Sequence, residues 1–78
     1  MTHQTYRVTY LNHQRDQQKR ILQVRENFEG EYFAHDISGQ GEYPNNNLGC
    51  GNPRKTVSGA IRDLVDSHGI LVQYHEED

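Results

Sequence analysis

Hydrophobic and polar positions alternate near the start of the chain. Across residues 5–11, Tyr6, Val8 and Tyr10 share one side, while Thr5, Arg7 and Thr9 share the other. That is the period of a half-buried strand, and the residue types are β-branched and aromatic. Residues 12–19 are wholly polar and predict a long hairpin connection. Residues 20–26 predict a second strand with Leu22 and Val24 on the core side. Asn27, Phe28, Glu29 and Gly30 supply a turn, because glycine takes a positive φ at no steric cost. Residues 31–37 predict a third strand, apolar on both faces.

No period survives through residues 38–55, which are crowded with Gly, Asn and Pro. A connection this long in a small domain is usually a binding loop or a disordered segment. A helical pattern follows: Val57, Ala60, Ile61, Leu64 and Val65 recur at the spacing of one helix face. Thr56, or Ser58 if the first turn frays, caps its start, and Gly69 stands where a C′ glycine belongs. Residues 70–74 predict a fourth strand. The order β-β-β-α-β specifies an α+β fold: an antiparallel sheet of three or four strands with one helix packed on one face. Residues 1–78 form a single domain, and residues 75–78 read as a frayed acidic tail.

Composition sharpens this picture. Of 78 residues, 32% are hydrophobic and none is Trp. A chain of this length buries only about 60% of its unfolded surface. The domain is therefore modestly stable, or it gains burial by forming a homodimer or docking on a partner. The net charge of −3 conceals an asymmetry. Residues 1–25 carry five cations against Asp16, a balance of +4, and residues 26–78 carry ten acids against three cations, a balance of −7.

Strand-borne Arg7, Arg20 and Arg25, with Tyr6, Tyr10 and Tyr32, are candidates for a basic, aromatic sheet face that would take nucleic acid. Tyr6 and Tyr10 also share the side of Val8, which is the core side. Arg54 and Lys55 stand at the positive end of the helix dipole, and Asp63 and Asp66 stand toward its negative end. The first pair makes the helix start a candidate anion site.

Catalytic and metal chemistry find little support. Cys50 is the only cysteine, so the chain can form no internal disulfide and offers no CxxC pair. The five histidines form no HxH or HxxxH pair. His35, Cys50 and His68 are the one candidate metal grouping, and Cys50, His35 and Asp36 are the residue types of a nucleophilic arrangement, but Cys50 lies in the aperiodic segment. No enzyme activity, cofactor or metal is expected. Without a signal-like or membrane-spanning apolar run, a cytoplasmic location in a bacterium or phage-infected cell is expected.

Residues 29–39 resemble the second strand of HicB-like antitoxin domains, a Gly-x-Tyr-x-Ala strand running into a Gly-rich bend. Residues 39–44 are similar to the Gly-x-Gly-x-Thr-Pro stretch before the family's helix, with Tyr43 in place of Thr. Thr56 and Ala60 match its helix start, so the resemblance covers roughly residues 20–74. It implies a sheet packed on one helix, acting as a partner-binding half similar to a domain that masks a toxin ribonuclease. Residues 49–57 resemble the Gly-x-Gly-x-Ser-Lys-Lys-x-Ala segment of double-stranded-RNA-binding domains, where basic residues at a helix start grip phosphate.

The expected function is protein binding by an inhibitor-like or antitoxin-like factor, a phage or plasmid accessory protein. Phe33, Tyr43 and Leu48 are the candidate anchors. The competing expectation is nucleic-acid binding through Arg7, Arg20, Arg25, Arg54 and Lys55.

Overall fold

The structure, a computed structural model, describes residues 3–37 and 48–77. They form strands β1 (His3–Asn12), β2 (Gln17–Glu26) and β3 (Tyr32–Asp36), helix α1 (Val57–Asp66) and strand β4 (Gly69–Glu77). The sheet order is β3-β2-β1-β4, with every neighbouring pair antiparallel. This is the expected α+β fold with all four strands in one sheet. No helix among the described residues is long and apolar enough to cross a membrane.

The alternation in β1 sets the layers. Tyr6 lies opposite Leu22, and Val8 lies between Arg20 on β2 and Tyr74 on β4. The side chains of Tyr6, Val8, Tyr10, Leu22, Val24 and Ala34 are buried beneath α1, which contributes Ala60, Ile61, Leu64 and Val65. Val57 packs at the margin of this core. The rings of Tyr6 and Tyr74 meet edge to face, with centroids 5.8 Å apart and planes at 72°, an arrangement that adds to simple area burial.

The first hairpin is longer in its strands and shorter in its turn than the polar run predicts. Gln17, Gln18 and Lys19 belong to β2, pairing with Leu11, Tyr10 and Thr9. Hydropathy registers burial, whereas a ladder also recruits polar residues that face away from the core. Asn12 organises the remaining turn: its Oδ1 accepts the amides of Gln14 and Asp16 at 3.0 and 2.9 Å. Asn27 repeats the device, its Oδ1 accepting the amides of Glu29 and Glu31, both at 2.9 Å. Each turn then needs a left-handed residue three positions on. Gly30 takes that role at φ 78°, and Arg15 takes it at φ 66°.

Helix α1 starts as its sequence predicts, with Thr56 Oγ1 accepting the Gly59 amide at 2.9 Å. Its end differs. Ser67 is the C-cap, and Gly69 is already the first residue of β4. Gly69 is required by close approach, because a Cβ there would lie 1.9 Å from the backbone oxygen of Leu11.

Of the aperiodic segment, residues 48–55 are described. Residues 48–54 run antiparallel along the outer edge of β3. The Asp36 amide donates to Gly49 O and the Gly51 amide to Ala34 O, both at 2.9 Å, while Tyr32 and Arg54 exchange bonds of 2.6 and 2.7 Å. This strap satisfies backbone groups that an edge strand would leave open. Nothing in its side-chain pattern announces it, because its pairing with β3 is made by backbone groups.

Replacing Gly69 by Ala is expected to cost at least about 2 kcal/mol, since backbone must move to admit the methyl. Gly30→Ala should cost only about 1 kcal/mol. Urea denaturation of the two variants against the parent checks the order.

Candidate functional site

Helix α1 covers one face of the sheet, and no described element covers the other. Register assigns the residues of the open face. Arg7, Thr9 and Leu11 of β1 alternate with the buried tyrosines, and Lys19, Ile21, Gln23 and Arg25 of β2 stand beside them. Phe33 and His35 of β3 lie opposite Arg25 and Gln23. On β4, Ile70, Gln73, His75 and Glu77 lie opposite Leu11, Thr9, Arg7 and Thr5. The surface therefore mixes half-buried Leu11, Ile21 and Phe33 with three permanent cations.

Glu77 is the one acid of this face among the described residues, and it is already engaged. Arg7 grips it with both arms, Nε to Oε2 at 3.0 Å and Nη2 to Oε1 at 2.9 Å. The hydrogen bond with Arg7 holds the Glu77 carboxyl below the usual range. Among the described residues Arg25 donates to Gln23 Oε1, at 2.9 Å, and Lys19 is exposed. Most of the remaining acids lie in turns, on the helix or on the helix-covered side. The charge split along the sequence thus becomes a split between faces.

The expected basic, aromatic face does not form as grouped. Arg7 and Arg25 share the open face, but Arg20 is 6% exposed and lies on the covered side with Tyr6 and Tyr10. Its phase with Leu22 and Val24 carries the signal: a residue two positions before them points the same way. The Nε of Arg20 stands 3.8 Å from Asp36 Oδ2 and has no hydrogen-bond partner. Asp36 Oδ2 accepts the Leu48 amide at 3.0 Å. This charge pair therefore links β2, β3 and the start of the strap.

Leu48 is likewise an inward residue, 7% exposed within the core cluster, so it anchors the strap and leaves no apolar surface for a partner. Phe33 is on the open face. Tyr43 lies outside the described residues.

The helix start is not the loose cation pair expected. Arg54 directs Nε and Nη2 to Asp63 Oδ1, the former at 3.0 Å, while Asp63 Oδ2 accepts the Asn52 amide at 2.9 Å. Sequence places Arg54 and Asp63 at opposite ends of a charge argument, yet the strap folds back and joins them. Lys55 is exposed.

His35 and Cys50 face each other across the bridge between β3 and the strap. Asp36 points to the opposite side, so the three do not form a chain of hydrogen bonds. No group of metal-ligating residues occurs among the described residues.

Two surface depressions are lined by described residues. One, of about 240 Å³, is lined by Leu11, Asn12, His13, Arg15, Gly69 and Ile70. The other, of about 220 Å³, is lined by Gln4, Val24, Glu26, Tyr32 and Val57. Both are smaller than typical small-molecule sites.

Sequence reasoning missed the exposed apolar residues Phe28, Ile70 and Val72, which are 99%, 69% and 54% accessible. Alternation identifies a strand but not whether that strand is an edge. No protein-family model, curated protein or solved structure matches the chain.

Two outcomes follow from these pairs. Asp36→Ala should cost about 3–5 kcal/mol, because it strands a buried Arg20. The double variant with Arg20→Met should recover much of that loss in urea unfolding.

The Asp63 carboxyl is held below its ordinary value of 3.8, chiefly by the Arg54 hydrogen bond and then by the Asn52 amide. A depressed carboxyl adds stability above its unfolded value, and that stability is lost as pH falls through the folded one. Acid unfolding of Asp63→Asn should accordingly show a shallower loss below the unfolded value than the parent.

Proposed function

We propose that this chain is a non-enzymatic binding domain whose partner is another protein, engaged on the open face of the sheet. The observation that carries this proposal is the composition of that face. Leu11, Ile21 and Phe33 give it apolar anchors, Arg7, Lys19 and Arg25 surround them, and its described acid, Glu77, is paired. Protein interfaces combine desolvated anchors with a polar rim in this way. The HicB-like resemblance supports an inhibitor or antitoxin-like role, as in a phage or plasmid accessory protein of the cytoplasm. The lone cysteine suits a reducing compartment.

Nucleic-acid binding is the second reading, favoured by the three cations on that same face and by Phe33 among them. Single strands are held by basic grooves and stacked aromatics. One aromatic offers one stacking position, and the chain as a whole is acidic, so the protein reading is preferred.

A titration of mixed-sequence single-stranded RNA and DNA at several salt concentrations separates the two. Three phosphate contacts give a slope of log affinity on log salt of about −2. The protein reading expects no binding of either strand at low salt, and a slope of that size would replace it with the nucleic-acid reading. A captured protein partner should be lost with Phe33→Ala, by about tenfold or more in affinity, and retained with Phe28→Ala.

A further inference from the structure

The depression of about 240 Å³ lies at one end of the open face. Its apolar part is Leu11 and Ile70, which are partners across β1 and β4. Asn12, His13 and Arg15 of the first turn complete it together with Gly69. Gly69 lets β4 approach the backbone of Leu11 so closely that no side chain fits between them. The hollow is too small for a drug-sized ligand, but it admits one aliphatic side chain.

Arg15 is the unexpected member. It sits at φ 66°, where a side chain is costly. The second turn follows the same plan around Asn27 and gives the corresponding position to Gly30. The first turn is fixed by Asn12, whose Oδ1 accepts the amides of Gln14 and Asp16 and whose carbonyl accepts the Arg15 amide at 2.9 Å. None of these bonds uses the Arg15 side chain, so the turn bears an arginine that its own geometry disfavours.

That cation is also unspent. Among the described residues, neither Arg15 nor Lys19 enters an ion pair. Lys19 lies opposite Thr9, the next outward position of β1 after Leu11. No acid lines the depression, and Asp16 is exposed in the turn.

We propose that this corner anchors the partner of the open face, and that the partner's segment is acidic. One aliphatic side chain of that segment seats against Leu11 and Ile70, while a neighbouring carboxylate meets Arg15 and Lys19. This inference rests on the open-face reading and names the chemistry of its partner. Charge complementarity selects the occupant. A basic segment would set like charges against two cations with no acid to offset them. A nucleic acid would supply negative charge, but the corner has no aromatic ring on which a base can stack. A carboxylate can instead take the two-armed grip of an arginine.

Amide shifts of the 15N-labelled full chain, titrated to millimolar with a capped hexapeptide of alternating Glu and Leu, test it. The amides of Leu11, His13, Arg15 and Ile70 are expected to move. Matched peptides with Lys for Glu, or Ser for Leu, should bind about tenfold more weakly, as should Ile70→Ser with the original peptide. Arg15→Gly separates binding from folding. It removes the cation and relieves the backbone, so it should melt no lower than the parent by circular dichroism yet bind about tenfold more weakly. A role confined to shaping the turn would leave binding unchanged. Corner amides that stay still, a Lys peptide that binds equally, or an Arg15→Gly variant that binds like the parent overturns the proposal. Shifts confined to Phe33 and Arg25 overturn the corner alone and leave the open-face reading standing. A uridine hexamer that moves the corner amides at lower concentration than the peptide overturns it in favour of nucleic acid.

Discussion

Strand β1 is the element on which the rest of this structure depends. It lies between β2 and β4, and its Val8 is completely buried, with Tyr6 and Tyr10 on either side in the same layer. Because side chains alternate with a period of two, a slip of one residue would send these three into solvent and bring Arg7 and Thr9 under the helix. The register is therefore strongly specified on both sides of β1. Every residue of the open face inherits its position from that choice. Arg7, Thr9 and Leu11 are outward because the tyrosines are inward.

The core that results is small, and polar groups had to be accommodated within it. Arg20 occupies a core-facing position next to Val8, where a charge is tolerable only beside an opposite one. Asp36 supplies that charge and also receives the Leu48 amide, so one carboxylate serves a buried cation and an incoming chain segment. The same segment closes the β3 edge and then delivers Arg54 to Asp63 on the helix. These contacts link strap, sheet and helix through residues that hydropathy would place on the surface.

The two sides of the sheet consequently differ in chemistry. The covered side is apolar at its centre with one buried charge pair, and acids collect at its margins, around the helix and in the turns. The open side gathers cations and half-buried apolar groups. Two sequence halves of opposite charge have become two faces, a conversion that depends on β2 and β1 bringing their outward residues side by side. The edges differ as well: the strap runs along one, and no described residue pairs with the other.

The sequence alone determined the elements and their phase. The alternation of Tyr6, Val8 and Tyr10 and the helical spacing from Val57 to Val65 are local properties, set by the geometry of strand and helix. They suffice for β-β-β-α-β, for the Thr56 cap and for most of the core. Even the inward direction of Arg20 was present in its phase with Leu22 and Val24, although its charge argued for the surface. Tertiary structure decided what local pattern does not encode. The strap along β3 pairs through backbone groups, and its side-chain ties, the Leu48 amide on Asp36 and Arg54 on Asp63, join residues far apart in the chain. Gly69 matters because Leu11 passes beside it. Ile70 and Val72 are exposed because β4 falls at an edge, and strand order is a non-local outcome of which ladders close. Phe33 shares a surface with Arg7 and Arg25 for the same reason: registers across three strands bring together residues distant in the chain.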